Sequence, residues 1–377
     1  MAAATITLQR LRDLAGFRAQ RGCAISLYID LDPTASPTAG DVDTRSHALL
    51  DEGAKSLDKG SLTHDEKMRL RKDFERIRQF FDDGFDRDGA RGLALFAAGD
   101  EYWDTLLLPD RLPDAIKVRR DFHIAPLAAL VGRGDGAMVA VVGRERGEVY
   151  ELRAGRLEEV LDETEDQPGR HDQGGWSQAR YQRHIEKLVH DHYKDVAVAL
   201  DGQVRGRGPK VVLVAPEAQR TDFLEALSSD AREAVVGATS AEAHASPAEL
   251  LDIVRPILDE ARAKSERGVL ERWREEKGRG ARAAAGWAET LEAASDARVE
   301  LLLFAEGRSS KAWQCPQCGR GAAEAGDCPL DGTTMHEVDN GLDVAVQRTL
   351  AHGGDVLAIA VHQDLDPVGG IGALLRF

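Results

Sequence analysis

The sequence predicts an α/β fold built from three α/β domains in series. Three observations carry this prediction. The first two are that 377 residues exceed one ordinary core and that apolar β-branched runs alternate with segments of helical periodicity. A third is that the middle of the chain passes from consecutive strands to alternating helix and strand, which is typical of a mixed sheet. We expect domains at residues 1–132, 133–250 and 251–377, the last with a cysteine-rich insert at 313–337.

The elements of the first domain follow from local patterns. A helical segment around residues 7–19 precedes CAISLYIDLDP, whose β-branched and aromatic residues predict a strand. In THDEKMRLRKDFERIRQFFDD, apolar residues recur at helical spacing, and Thr63 and Glu66 stand in capping-box positions. GLALFAAG and YWDTLLLP then predict a pair of strands.

The second and third domains show the same alternation. AMVAVVG, EVYELRAG and RLEEVLDE predict a three-strand meander, and a polar stretch leads from it to a helix over 177–200. PKVVLVAPE predicts a buried strand, and TDFLEALSSDAREAVVG a further helix. A charged helix over 247–277 opens the last part, where ARVELLLFAEG and DVLAIAVHQ predict strands on either side of the helix LDVAVQRTLAHGG.

Composition excludes several classes of protein. The net charge of −16 argues against a general nucleic-acid coat but allows a local basic face. No run approaches the roughly 18 apolar residues of a membrane helix. Arg10, Arg12 and Asp13 interrupt the N-terminal segment, so we expect no secretory signal, no membrane partner and a cytoplasmic location.

The stretch HDQGGWSQARYQRHIEKLVHDHYK combines glycines, a neutral amide and a basic helix. Gly174 and Gly175 permit close backbone approach, and Gln178, whose amide does not titrate, is suited to orienting a water molecule. Residues 170–194 carry five Lys or Arg against three Asp or Glu, opposite in sign to the whole chain. The residues expected to hold RNA phosphates are Arg180, Arg183, His184 and Lys187. The alternative is an ordinary linker before a solvated helix.

This stretch, preceded by the meander, resembles domain two of the bacterial branch of the archaeo-eukaryotic class 1 release factor superfamily, which is similar to Vms-type peptidyl-tRNA hydrolases. Gly175-Trp176-Ser177-Gln178 matches the Gly-x-x-Gln pattern of that branch, and the C-terminal GGIGALLRF is similar to its chain ends. The resemblance implies an RNase H-like middle domain and a pelota-type C-terminal α/β domain. Gln178 would orient the water that attacks the peptidyl-tRNA ester, with Gly174 and Gly175 shaping the loop.

The same resemblance implies the ribosome and peptidyl-tRNA as partners, and it leaves open whether a translational GTPase delivers the protein. The Asn-Ile-Lys-Ser stop-codon motif is absent from residues 1–130, so we expect codon-independent release or rescue. One alternative is a non-enzymatic ribosome binder of the hibernation type. The other is a nuclease acting near the tRNA 3′ end, for which DETED at 162–166 supplies the carboxylates.

The insert reads CPQCGRGAAEAGDCPLDGTTMH, with three cysteines and an aspartate at the spacing of two metal-binding turns. Three thiolates and a carboxylate suit tetrahedral zinc, so we expect a structural zinc and no organic cofactor. The expected ligands are Cys315, Cys318, Cys328 and Asp331. His336 is an alternative fourth ligand, and a ribbon that has lost its metal is the alternative to a zinc site.

Overall fold

The protein is described from a computed structural model. The described residues are 6–56, 62–131, 136–153, 155–163, 177–205, 208–242 and 244–377, without the side chains of 177–186. They confirm the expected α/β class and divide into two compact units. Unit 1 comprises Met1–Arg133 with Ser265–Phe377, and unit 2 comprises Gly134–Lys264.

The N-terminal part of unit 1 is an antiparallel sheet with helices. Its elements are α1 (Leu8–Gly16), β1 (Ala24–Asp30), α2 (Ala39–Ser56), α3 (His64–Asp82), β2 (Gly92–Ala98), β3 (Tyr102–Leu108), β4 (Ala115–Arg119) and α4 (Ala125–Ala128). The strand order is β3-β2-β1-β4. Thr63 and Glu66 form the expected capping box at the start of α3. The strand β1 is buried throughout, because apolar residues cover both faces of this sheet.

Unit 2 contains the expected meander and a five-stranded mixed sheet. Its elements are β5 (Met138–Val142), β6 (Gly147–Arg153), β7 (Arg156–Asp162), α5 (Ser177–Val204), β8 (Val211–Val214), α6 (Glu217–Ala226), α7 (Ser229–Ala234), β9 (Val235–Thr239) and the first part of α8 (Pro247–Gly278). The order is β7-β6-β5-β8-β9, with β5, β6 and β7 antiparallel and β8 and β9 parallel to β5. This is the arrangement expected of an RNase H-like domain.

Each face of this sheet has its own apolar core. On one face α5 packs through Tyr193, Val196 and Leu200, together with Phe223 of α6. Residues 250–258 of α8 cover the other face. The prediction of a helix over TDFLEALSSDAREAVVG was wrong at the end of this segment. The β-branched pair at 235–236 begins β9 beside β8 instead of continuing α7.

The C-terminal part of unit 1 contains a mixed sheet and the small insert. Its elements after α8 are β10 (Ala283–Ala285), α9 (Gly286–Ser295), β11 (Val299–Ala305), β12 (Ala312–Gln314), β13 (Gly321–Ala322), β14 (His336–Val338), α10 (Gly341–Ala351), β15 (Asp355–Ile359), a 3-10 helix (Asp366–Val368) and β16 (Ile371–Leu375). The larger sheet has the order β10-β16-β11-β15, and β13-β12-β14 form the insert.

The two large sheets of unit 1 contribute to one apolar cluster. It joins residues of α1, β1 and β2 to residues of α9, α10 and β11. Asp343 of α10 is fully buried within this unit, where Oδ1 accepts hydrogen bonds from Ile124 N at 2.8 Å and Ala125 N at 3.0 Å. Oδ2 of Asp343 pairs with Arg119, and Oδ1 lies 2.9 Å from His123 Nδ1.

The division into three domains at 132/133 and 250/251 stays a prediction. The helix α8 runs across the second of these points, and its first part belongs to unit 2 and the remainder to unit 1. Within the ranges given above, no helix is both long and apolar enough to cross a membrane.

Candidate functional site

The last two residues of the Gly-x-x-Gln pattern, Ser177 and Gln178, begin α5. Gly174 and Gly175, expected to shape the loop, fall outside the described residues, whereas α5 begins at Ser177 and therefore carries Gln178 in its first turn. Three of the four expected phosphate-binding residues, Arg180, Arg183 and His184, belong to α5, but their side chains lie outside the description. The fourth, Lys187, is exposed on the same helix.

The position of α5 is fixed by its close contact with β6. At Gly147 an added Cβ would lie 2.5 Å from Val196 Cγ2 and 3.0 Å from His192 Cε1 of α5, so only glycine fits without displacement. His192 is buried, and its Nε2 lies 3.2 Å from Arg146 O. Glu163 N donates to Gly147 O at 2.7 Å, which ties the last described residue before α5 to the same point.

A polar network on one face of β6 adjoins this contact. Arg146 Nε donates to Glu148 Oε1 at 2.6 Å, and Tyr150 OH donates to Glu148 Oε2 at 2.7 Å. Burial raises the pKa of Tyr150 to about 12, and its hydrogen bond to Glu148 adds to the shift. Burial of Glu148 acts in the raising direction, but its bonds to Arg146 and Tyr150 outweigh this and lower its pKa. At neutral pH Glu148 is therefore a carboxylate paired with Arg146, and the hydroxyl of Tyr150 stays protonated.

The sequence analysis did not identify Gly147 as a residue that positions α5. The local signal was weak, because a glycine after the turn RER is an ordinary strand start. Only the packing of α5 shows that a side chain at this position has no room.

The four expected metal ligands come together in the insert of unit 1. One ligand atom from each of Cys315, Cys318, Cys328 and Asp331 lies within 4.8 Å of the others. Cys318 Sγ is 3.5 Å from Cys328 Sγ, and Cys315 Sγ is 3.4 Å from Asp331 Oδ2. Ligands bound tetrahedrally at about 2.3 Å lie about 3.7 Å apart, so these separations fit one tetrahedral ion.

Two matching turns create this geometry. Gly319 N donates to Cys315 O at 2.9 Å, and Gly332 N donates to Cys328 O at 2.8 Å. Gly319 and Gly332 have φ of +75° and +70°, a conformation that favours glycine. Each Cys-Pro-x-x-Gly segment is therefore a tight turn that presents its ligands to one point. His336, the alternative fourth ligand, is an exposed residue of β14 outside the four-ligand group.

Burial and hydrogen bonding shift the pKa values of the expected ligands Cys318 and Asp331. Burial raises the pKa of Cys318 to about 12, with hydrogen bonds to the neighbouring ligands adding to the shift. Hydrogen bonds from Thr333 hold the pKa of Asp331 at about 2. Asp331 is thus a carboxylate at neutral pH, whereas Cys318 requires a cation to become a thiolate.

Nuclease chemistry of the metal-dependent kind would need clustered carboxylates. In DETED, Asp162 ends β7 and Glu163 follows it, while residues 164–166 lie outside the described part of the chain. Over the described residues the one group of three or more metal-ligating side chains is the cluster in the insert.

Comparison with known proteins bears on the middle of the chain. Residues 123–257 match the model of Bacterial archaeo-eukaryotic release factor family 10. The chain is 25% identical to Peptide chain release factor subunit 1 of Archaeoglobus fulgidus over 288 residues, covering 68% of this chain and 69% of the relative. It is 29% identical to the protein of the same name from Methanopyrus kandleri over 209 residues, covering 52% and 50%.

Solved structures also match the chain. Pelota from Archaeoglobus fulgidus matches with a TM-score of 0.35 and 18% identity, covering 78% of this chain and 81% of Pelota. Dom34 from S. cerevisiae matches with a TM-score of 0.43 and 14% identity, covering 74% of each chain. The family match encloses the Gly-x-x-Gln segment and all of α5. Residues 123–257 thus match a family of bacterial archaeo-eukaryotic release factors, and the superfamily expected from the sequence is confirmed.

Proposed function

We propose that the protein is a ribosome-associated release or rescue factor that hydrolyses the peptidyl-tRNA ester without reading a codon. The observation that carries the proposal is the family match over residues 123–257, which encloses Gly175-Trp176-Ser177-Gln178. The relatives named as peptide chain release factors support a role in releasing peptides from the ribosome. The absence of Asn-Ile-Lys-Ser from residues 1–130 supports codon independence.

The proposed chemistry needs a positioned water and no titrating base. The amide of Gln178 orients the water toward the ester carbon, and the ribosome and the tRNA supply the remainder of the site. Because an amide does not change protonation between pH 5 and 9, its contribution is geometric. Loss of one hydrogen bond that forms in the transition state lowers a rate by about 10²–10³.

The charge of α5 supports binding of nucleic acid near its N-terminus. Arg180, Arg183 and Lys187 lie in the first three turns, and the first turn contains no acidic residue. A cation in the first turn opposes the helix dipole, so Arg180 gains no stabilisation from it, and the effect falls off beyond that turn for Arg183 and Lys187. They are instead suited to phosphates, which also favour the N-terminal end of a helix.

For the insert we propose a structural zinc, held by Cys315, Cys318, Cys328 and Asp331. The ligand separations and the paired turns support this, and three thiolates are a donor set that favours zinc over magnesium or calcium. All four ligand positions are occupied by protein atoms, as in structural rather than catalytic zinc sites, so the metal takes no part in hydrolysis.

The experiment that tests the proposed hydrolysis compares Gln178→Ala with wild type on ribosomes carrying labelled peptidyl-tRNA. Release of the peptide and co-sedimentation of the protein are measured separately. We expect the variant to lose release by about 10²–10³ and to keep binding. Gln182→Ala, the same change one turn along α5 and outside the motif, is the matched control and should keep both. Equal release by wild type and Gln178→Ala would refute the role of the amide.

A further inference from the structure

Two arginines lie against the first metal-binding turn of the insert. Arg18 Nη2 donates to Pro316 O at 2.7 Å, and Arg348 Nη1 donates to Cys318 O at 3.3 Å. An added Cβ at Gly319, which closes this turn, would lie 3.4 Å from Arg348 and 3.7 Å from Arg18. Both guanidinium groups therefore reach the same short stretch of backbone, beside the thiol of Cys318.

Neither of these arginines has an acidic partner among the residues that the structure describes. Within the described part of the chain, no carboxylate lies within ion-pair distance of Arg18 or Arg348, whereas their neighbour Arg320 pairs with Asp296 at 2.5 Å. Arg348 is half-buried, its Nη2 lies 2.8 Å from His352 Nε2, and its Nε is buried without a hydrogen-bond partner among the described groups. A cation removed from water without a counter-charge is unfavourable.

The metal site with zinc bound would supply the negative charge that these two arginines lack. Zinc contributes +2, three thiolates −3 and the Asp331 carboxylate −1, so the loaded centre carries a net charge of −2. We propose that Arg18 and Arg348 are the counter-charges of this centre and stabilise its metal-bound form. The inference rests on the zinc proposed above. It assigns to these arginines a contribution to metal affinity in addition to that of the four ligands.

The two arginines come from different parts of unit 1. Arg18 follows α1 near the N-terminus, and Arg348 belongs to α10, 30 residues after Cys318. The coupling is reciprocal, because arginines that strengthen metal binding are themselves held more strongly when the metal is bound. Metal binding therefore also stabilises the contact of the N-terminal segment with the insert. In the metal-free protein the pair gains little, since there is then no metal-bound centre for the two arginines to offset.

The test measures zinc affinity and thermal stability of the full chain. The zinc content of the wild type is determined first, and its dissociation constant is then measured by competition with a chromophoric chelator for wild type, Arg348→Met, Arg18→Met and Arg348→Lys. We expect each Met variant to bind zinc about tenfold or more weakly, and Arg348→Lys to retain most of the affinity because it keeps the charge. Arg272→Met, which removes an arginine paired with Glu300, is the control and should bind as the wild type does.

Thermal stability separates a counter-charge from a purely structural side chain. With zinc removed, Arg348→Met should melt within a few degrees of the wild type, and the stabilisation that zinc adds should shrink. Equal zinc affinity in all variants, or an equal loss of stability with and without zinc, would overturn the proposal while leaving the zinc site standing. A wild type that binds no zinc would overturn both. Arg18→Met keeps the test decisive if Arg348→Met does not fold.

Discussion

Replacing Asp343 with Asn tests how strongly one buried carboxylate holds the two sheets of unit 1 together. Asp343 is fully buried, and it accepts hydrogen bonds from backbone groups that are 219 and 218 residues away in sequence. Its other oxygen pairs with Arg119. The side chain thus joins α10 to the segment that follows β4.

The expected loss of stability follows from the interactions that Asn keeps and those that it removes. Asn preserves the size and one acceptor oxygen but leaves Arg119 with only the more distant carboxylate of Asp121, 3.8 Å from its Nε. Removing one member of a buried ion pair costs about 3–5 kcal/mol, and we expect the lower end, about 3 kcal/mol, because the backbone hydrogen bonds survive. The control is Asp355→Asn, which breaks the pair with Arg12, where the side chains are 47% and 34% exposed. That pair should contribute no more than about 1 kcal/mol.

Urea unfolding followed by tryptophan fluorescence measures this difference. Four of the five tryptophans, at 103, 273, 287 and 313, belong to unit 1, and a Trp176→Phe background removes the fifth. Asp343→Asn should lower the free energy of unfolding of unit 1 by about 3 kcal/mol, against less than about 1 kcal/mol for Asp355→Asn. Equal losses in the two variants would refute the reasoning, because burial would then not decide the strength of the pair.

Three further predictions concern pH, packing and phosphate binding. Burial acts to raise the pKa of Asp343, but its cationic neighbours hold that pKa well below the usual range. The contribution of Asp343 to the free energy of unfolding is therefore present above about pH 4 and is lost as the pH falls. The unfolding curves of wild type and Asp343→Asn should accordingly converge in acid. Gly147→Ala, whose Cβ would lie 2.5 Å from a side-chain carbon of α5, should destabilise unit 2 by about 1–3 kcal/mol in circular-dichroism melts. Gly202→Ala, with no atom near its Cβ, should leave stability unchanged or raised, and a similar loss at both glycines would contradict the packing argument. Lys187→Ala should weaken ribosome binding and reduce its salt dependence, whereas Lys194→Ala, two turns further along α5, should not; equal effects would remove the special role of the N-terminal turns.

Local patterns were enough for many elements. The capping box at Thr63 and Glu66 placed the start of α3 correctly, and the expected helix over 247–277 differs from α8 by one residue. The spacing of the cysteines and Asp331 likewise predicted the ligand cluster, because tight turns are encoded by residues close in sequence. The strand β9 was missed because its pairing with β8, and not its own pattern, decides its conformation.

Contacts between distant residues could not be derived in this way. Arg18 and Pro316 are 298 residues apart, and nothing around Arg18 indicates that it meets a metal-binding turn. The partners of Asp343 and the close approach of α5 to Gly147 are of the same kind, since they depend on how whole elements pack. The roles of Gln178 and of the basic residues of α5 stay predictions based on motif and charge.

The most direct test of the central claim is peptide release by the wild-type protein from ribosomes stalled with labelled peptidyl-tRNA. Two complexes are compared in parallel, one with a sense codon in the A site and one with a stop codon. We predict release from both at similar rates, because Gln178 is proposed to position the water and residues 1–130 contain no Asn-Ile-Lys-Ser motif. Binding to both complexes without release would contradict hydrolysis and favour a non-enzymatic binder, and release only at the stop codon would contradict codon independence.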